Sequence, residues 1–387
     1  MSDKMKKVEI RDFCCKRDDL TIRGKAYIPE GEGKKKAIII SHGFGGNGAE
    51  MEIYSKEFSR YGYAVFSFDF CGGSRFGHSD GHMHDMTVRT ECADLGAVID
   101  YVKSLDYIDE GAISLVGASQ GGFVSALTAA KRNRDVHKLA LLYPALCIPD
   151  DARAGRLGGS RYDIKNVPEI IDCGHMEIPR RFHDEMASLD PYAEIVKFMG
   201  NVLIIHGTAD TIVDCSYSVK AQEAYGANRC KLTKVKDAGH RFTAKQEERA
   251  AISILMFLSN NYEVLRMNTK ALKVEKSVSG NVTTEATMFE GHCESPYFKG
   301  EIMPGAMDIV KYENGKPVAT KFECAMEGVD FAGYSCIIRI MDRSENGVWS
   351  PKAETDSEAL DFLNTTELIA VLEKEGNSVI SRIFAKM

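Results

Sequence analysis

The sequence predicts an α/β fold, a mainly parallel sheet covered by helices on both sides, followed by a second, mostly-β, barrel-like domain. Three observations carry this expectation. Short unbroken apolar runs recur through roughly the first 260 residues, helix-patterned stretches separate them, and beyond that point the texture changes to alternation with hairpin signals. Unbroken apolar runs suit strands buried on both faces, and their alternation with helices suits parallel crossover units.

In chain order, Val8 to Phe13 and Thr21 to Ile28 read as an opening hairpin. Lys36 to Ser41, Tyr63 to Phe68, Ala112 to Val116, Lys138 to Leu142 and Val202 to Ile205 read as buried strands. Thr87 is placed to cap a helix in which Val88, Cys92, Leu95, Ile99 and Val102 recur at spacings of three and four, giving one apolar face. About 60 residues then separate the strand at Leu142 from the one at Val202, far beyond the ~12–15 residues of an ordinary loop. This segment is therefore expected to form an ordered lid, with a helix over Pro179 to Ala187 and the aromatics Tyr162, Phe182 and Tyr192. Past Val274, Glu313-Asn314-Gly315 and Glu345-Asn346-Gly347 mark hairpins, and Ser378 to Phe384 reads as a final strand. The expected domains are 1–262, a linker at 263–273, and a β domain over 274–387.

Composition bounds the function. A hydrophobic content of 44% with 27% charged residues fits a globular protein with real cores. The net charge of −7 is spread without any basic stretch, which argues against nucleic acid and anionic membrane surfaces as partners. The N-terminal Met-Ser-Asp-Lys-Met-Lys-Lys lacks the apolar core of a signal peptide, and no run of 18 apolar residues occurs. The 11 cysteines are odd in number, scattered and free of Cys-x-x-Cys pairs, as expected of reduced thiols in a cytoplasmic protein.

Gly-x-Ser-x-Gly occurs twice, at Gly117 to Gly121 and at Gly77 to Gly81. The chemistry needs a strand running into the serine and a helix leaving it, a sharp turn that lifts the hydroxyl clear of the sheet and leaves no room for flanking side chains. Only Ser119 has that context, between Ile113 to Val116 and Gly122 to Leu127. Ser79 follows a loop and is expected to be loop structure. A serine hydroxyl needs a base, and the base an acid to orient it; where the serine sits on such a strand-to-helix turn these follow in the order Ser, Asp or Glu, His. Asp210 lies just beyond the strand Val202 to Ile205, and His240 just beyond Leu232 to Val235, at the carboxyl strand ends where open α/β sheets place their sites. Asp214 competes with Asp210 but lies further from the strand end. His206 is expected to be a buried packing or hydrogen-bonding residue. The oxyanion hole is expected from the amide of Gln120, at a helix N-terminus, and that of Phe44, in His42-Gly43-Phe44-Gly45-Gly46-Asn47.

His78, Asp80, His82, His84 and Asp85 crowd together, but their spacing matches no recognised ligand pattern and the triad needs no metal. They read as a solvated loop beside the site. Neither a metal nor another cofactor is expected.

Taken together, His42 to Gly46, Asp69 to Gly73, Ser79-Asp80-Gly81, Gly117 to Gly122, His206 to Asp210 and Gly239-His240-Arg241-Phe242 resemble the bacterial cinnamoyl (feruloyl) esterases of the α/β-hydrolase superfamily, over roughly residues 5–262. The resemblance implies the same triad of Ser119, Asp210 and His240, the same oxyanion amides, and residues 148–197 as an inserted lid over an aromatic acyl group. An acidic lid residue that meets a phenolic hydroxyl would fall near Asp151, for which a solvated turn acid is the equal alternative. The resemblance implies a small-molecule ester as substrate, cleaved through an acyl-enzyme. A short-chain acyl esterase, a lysophospholipase or an acyl-peptidase would keep the same triad. The C-terminal part more faintly resembles small β-barrel-like domains of unknown function, through Phe298 to Gly305, and is expected to bind a ligand or to join copies of the chain in a homo-oligomer.

Overall fold

Strands β1 (Val8–Arg17) and β2 (Leu20–Pro29) pair antiparallel around a tight turn at Asp18, and β2 continues antiparallel onto β4 (Ala64–Phe68). From there β3 (Lys35–Ser41), β5 (Ile108–Ala118) and β6 (Lys138–Leu142) extend the sheet in parallel. These data come from a computed structural model that describes residues 7–259, 261–295, 297–344, 351–375 and 378–386. Every residue of β4 and β6 is buried, as their unbroken apolar runs require; each large apolar side chain so buried contributes about 1.5–3 kcal/mol. Helices α1 (Glu52–Arg60), α2 (Val88–Lys103) and α3 (Gln120–Lys131) fill the crossovers.

Helix α2 starts where its capping residue dictates. The Thr87 hydroxyl accepts from the Thr90 amide and the Thr90 hydroxyl accepts from the Thr87 amide, a reciprocal box that satisfies two otherwise orphaned donors. Val88, Leu95, Ile99 and Val102 are buried, joined by Val98, while Cys92 is half-buried at the edge of the face.

The inserted segment is ordered. It holds α4 (Ile148–Arg153), two short hairpins, β7 (Arg156–Leu157) with β8 (Ser160–Arg161) and β9 (Ile170–Asp172) with β10 (Glu177–Pro179), then α5 (Arg180–Ala187) and α6 (Pro191–Ile195). Strand β11 (Asn201–Gly207), helix α7 (Ser216–Tyr225) and strand β12 (Cys230–Val235) complete an eight-stranded sheet in the order β1-β2-β4-β3-β5-β6-β11-β12, and α8 (Ala244–Leu258) follows.

The chain divides into two compact units between Ala251 and Ile252. Residues 263–273, expected as a linker, instead form the first half of β13 (Asn261–Ser279). Arg266 and Lys270 face outward, while Leu265, Met267 and Thr269 alternate inward. A register shift between Glu263 and Leu265 lets both Val264 and Leu265 be buried, which hides the alternation from a reading by period two.

The second unit is an antiparallel, barrel-like β domain. Its sheet joins β13 with β14 (Val282–Glu294), β15 (Phe298–Ile302), β16 (Met307–Glu313), β17 (Lys316–Asp330), β18 (Ser335–Ser344), β19 (Lys352–Thr355), β20 (Leu368–Glu375) and β21 (Ser378–Lys386). Its core includes Leu265, Phe298, Met326, Ile338, Leu360 and Ile383. The hairpin expected at Asn314-Gly315 is present, with φ of 50° and 78°, the mirror-image turn that suits strand twist. Glu345-Asn346-Gly347 lies outside the described residues.

Candidate active site

Strand β5 ends at Ala118 and α3 begins at Gln120, so the whole reversal falls on Ser119, with φ 53° and ψ −121°. Such a conformation costs on the order of 1–3 kcal/mol in a non-glycine residue. Backbone bonds hold it: the Ser119 carbonyl accepts from the amides of Phe123 (3.1 Å) and Ala145 (2.9 Å). The flanking glycines are steric requirements. A Cβ on Gly117 would stand 2.3 Å from the Gly121 carbonyl, and one on Gly121 would stand 2.1 Å from that of His42.

Three residues far apart in the chain meet here. The Ser119 hydroxyl lies 2.9 Å from His240 Nε2, and His240 Nδ1 lies 2.8 Å from Asp210 Oδ2. A carboxylate accepts, so Nδ1 carries the imidazole proton and Nε2 is free to accept from the serine. Asp210 Oδ1 accepts from the amides of Ile212 and Val213, each at 2.9 Å. Burial alone would raise the Asp210 carboxyl, but hydrogen bonds from His206, His240, Val213 and Ile212 outweigh it and hold the group well below the usual carboxylate range. Asp214 is exposed and accepts from the Ser216 amide at the start of α7, while Asp210 is the carboxylate that meets His240. His206 is fully buried. Its Nε2 faces the Val213 carbonyl (2.9 Å) and so carries the proton, leaving Nδ1 to accept from the Ser218 hydroxyl at 2.6 Å.

The loop after β3 is pressed against the serine. A Cβ on Gly43 would stand 3.2 Å from Ser119 Cβ, close enough that only glycine fits without adjustment. His42 fixes this loop from below. Its Nε2 accepts from the Phe70 amide (3.2 Å), so Nδ1 donates to the Gly43 carbonyl (2.8 Å), and burial pushes its pKa down, favouring the neutral ring. Phe44 and Gln120 both line the cavity above Ser119; Gln120 opens α3, where the helix dipole favours negative charge.

That cavity has a volume of about 1270 Å³. The inserted segment supplies one wall, including Ile148, Leu157, Ile178, Phe182 and His175, whose ring meets the Phe44 edge at 5.4 Å. Asp151 also lines it. It sits on α4, in the first turn behind Pro149, and its carboxylate is 3.2 Å from the Arg156 guanidinium. The segment is a helix where the alternative reading had a turn, because Pro149 and two acids suit a helix N-terminus.

Tyr143 was not visible from the sequence pattern. It directly follows β6 with φ 38°, unusual for a bulky residue, and its ring packs 4.8 Å from that of His240 and 4.9 Å from that of Phe242. Its position one residue beyond a strand's carboxyl end was the available signal. The second Gly-x-Ser-x-Gly is loop structure: the Ser79 hydroxyl donates to the Asp69 carbonyl (2.6 Å) and accepts from the Arg23 amide. Of the neighbouring loop, Asp80 pairs with Arg23 and His84 with Glu177, and among the described residues no group of three or more His, Cys, Asp or Glu is arranged to hold a metal.

Comparison with known proteins agrees with this architecture. The family described as serine aminopeptidase, S33 (Hydrolase_4) matches residues 32–160. The quorum-quenching protein AidA of Acinetobacter baumannii is 31% identical over 119 residues, 30% of this chain and 38% of that protein. An uncharacterized 31.7 kDa protein of Escherichia coli, from the traX-finO intergenic region, is 33% identical over 96 residues, 24% of this chain and 32% of that protein. The chain thus spans about a third of the length of these curated relatives. Among solved structures, Est1E from Butyrivibrio proteoclasticus with ferulic acid bound is 27% identical, with a TM-score of 0.58, covering 63% of this chain and 98% of that one. DcsB in complex with its substrate analogue shares the fold, at 20% identity and a TM-score of 0.53, over 65% of this chain and 99% of that one. The first unit therefore has the α/β-hydrolase fold and is similar to these esterase structures.

Proposed function

We propose that the protein cleaves cinnamoyl (feruloyl-type) esters through an acyl-enzyme on Ser119. The observation that carries the reading is the cavity of about 1270 Å³ that opens on Ser119 beneath an ordered lid with apolar and aromatic walls, in a domain similar to Est1E, whose structure holds ferulic acid. In this reading Ser119 attacks the ester carbonyl and His240 takes its proton, while Asp210 stabilises the imidazolium. The amides of Phe44 and Gln120 donate to the oxyanion. His240 then returns the proton to the leaving alcohol, and water repeats the sequence on the acyl-enzyme. Asp151 is proposed to meet the phenolic hydroxyl at the lid end of the cavity; its place on the cavity wall supports this.

Initial rates on methyl ferulate beside 4-nitrophenyl acetate and butyrate, with Ser119→Ala as control, test the proposal. Fast ferulate turnover that the mutant loses supports it. Turnover of the small activated esters alone would remove the aromatic assignment and leave a short-chain esterase or lysophospholipase. The match to a family described as serine aminopeptidases makes an aminoacyl amide a necessary further substrate in that series, since an acyl-peptidase would use the same triad.

For the second unit we propose a ligand-binding or oligomerisation role, supported by its self-contained core. Light scattering on the full chain tests the homo-oligomer. A cytoplasmic location is proposed from cysteine usage; among the described residues no helix is long and apolar enough to cross a membrane.

A further inference from the structure

Beneath the nucleophile turn lies a buried acid that the reaction does not use. Glu91, on the first turns of α2, is 1% exposed, and its Oε2 accepts from the side-chain amide of Gln120 at 2.8 Å. Gln120 is itself 2% exposed. The same amide nitrogen lies 4.0 Å from the Met86 sulfur, and Glu91 Oε1 is packed so closely that a Cβ on Gly73 would stand 3.3 Å from it. The turn that carries Glu91 is fixed in turn: its amide donates to the Thr87 carbonyl (3.0 Å), within the Thr87–Thr90 capping box.

A buried carboxyl is costly, and an apolar pair of similar volume would pack the same space without that cost. Neither side chain is needed for the sharp turn at Ser119, whose sterics depend on Gly117 and Gly121. What the hydrogen bond does is tie the first residue of α3 to α2. That residue carries the amide next to the nucleophile.

We propose that Glu91 is a positioning residue for the oxyanion hole, holding the Gln120 backbone amide in place through its hydrogen bond to the Gln120 side chain. The inference rests on the reading of the Gln120 amide as an oxyanion donor. Burial pushes the Glu91 carboxyl up to about 8, against the opposing hydrogen bond from Gln120, so it is largely neutral at pH 7 and glutamine is its close isostere. The acid's role is to accept one hydrogen bond, and charge is not required for that.

The test uses kcat and KM on 4-nitrophenyl butyrate, per active site counted from burst amplitude, for the wild type, Glu91→Leu, Glu91→Gln and Gln120→Met, with Ser119→Ala compared per mole of protein. Removing an oxyanion donor outright costs on the order of 10²–10³, and a 1 Å misplacement about 10². Glu91→Leu is expected to lower kcat about 10- to 100-fold with KM within about twofold. Glu91→Gln, which keeps the acceptor, is expected to restore kcat to within about threefold. Unchanged kcat per site in Glu91→Leu, or equal impairment of Glu91→Gln and Glu91→Leu, overturns the proposal. If Glu91→Leu fails to fold, Gln120→Met decides: the same selective kcat loss supports it and full kcat overturns it. Residual full activity in Ser119→Ala would instead overturn the triad reading on which the proposal stands.

Discussion

Gly43 and Ser119 approach each other so closely that a Cβ on the glycine would lie 3.2 Å from the serine's Cβ and 3.7 Å from its hydroxyl oxygen. Ser119 has little freedom to yield, because its strained backbone is tied through its carbonyl to Phe123 and Ala145. Gly43→Ala is therefore expected to lower kcat/KM by about tenfold or more through the loop that carries Phe44, with a melting temperature close to wild type. Gly121→Ala differs in kind. Its Cβ would meet the His42 carbonyl at 2.1 Å, and loss of folded protein is the expected outcome. Steady-state kinetics and thermal melts on the two variants separate these effects; full activity in Gly43→Ala would show that the loop gives way freely.

Asp210 presents one oxygen to His240 and the other to two backbone amides. Asp210→Asn keeps the shape but places an amide where a carboxylate must accept, so the imidazole loses the tautomer the serine needs. A fall in kcat of about 10³–10⁴ with little change in KM is expected. A loss below tenfold would remove Asp210 from the proposed triad.

Two buried acids on α2 tie stability to pH. Burial, offset in part by Gln120, raises Glu91 to about 8, and burial, offset in part by Arg17 and the Cys71 amide, raises Asp94 to about 6. Their unfolded values are 4.5 and 3.8, so above those the folded chain binds more protons than the unfolded one. Their contribution to stability is thus fully present in acid and is lost as pH rises through each folded value. Glu91→Gln removes one titration, and its melting temperature is expected to fall less steeply than wild type between pH 5 and 8. Parallel curves would contradict the raised value.

Asp151 lines the lid end of the cavity with its carboxylate held by Arg156. If it accepts from a phenol, Asp151→Ala raises KM for methyl ferulate about tenfold, the loss of one charge-assisted hydrogen bond, and leaves 4-nitrophenyl acetate within about twofold. Equal effects on both esters would point to damage to α4 instead.

The eight strands of the main sheet were legible as local apolar runs between turns, and the three residues that meet at Ser119 because each sits at a strand's carboxyl end; the short lid strands were not. The Gly43 loop was legible for the same reason. Tyr143, His175 and the Glu91–Gln120 pair were not, because their partners lie far away in sequence and no spacing links them. The start of β13 was misread as a linker because a register shift buries Val264 and Leu265 together while Arg266 and Lys270 stay outside.

The most direct test is to trap the intermediate. Wild-type protein and Ser119→Ala are mixed with methyl ferulate, quenched in acid within the first turnovers, and analysed by intact mass and peptide mapping. One feruloyl group on the peptide carrying Ser119, absent from the variant, is the expected result. Ferulate released with no adduct at Ser119, or an adduct on another residue, would contradict the acyl-enzyme mechanism.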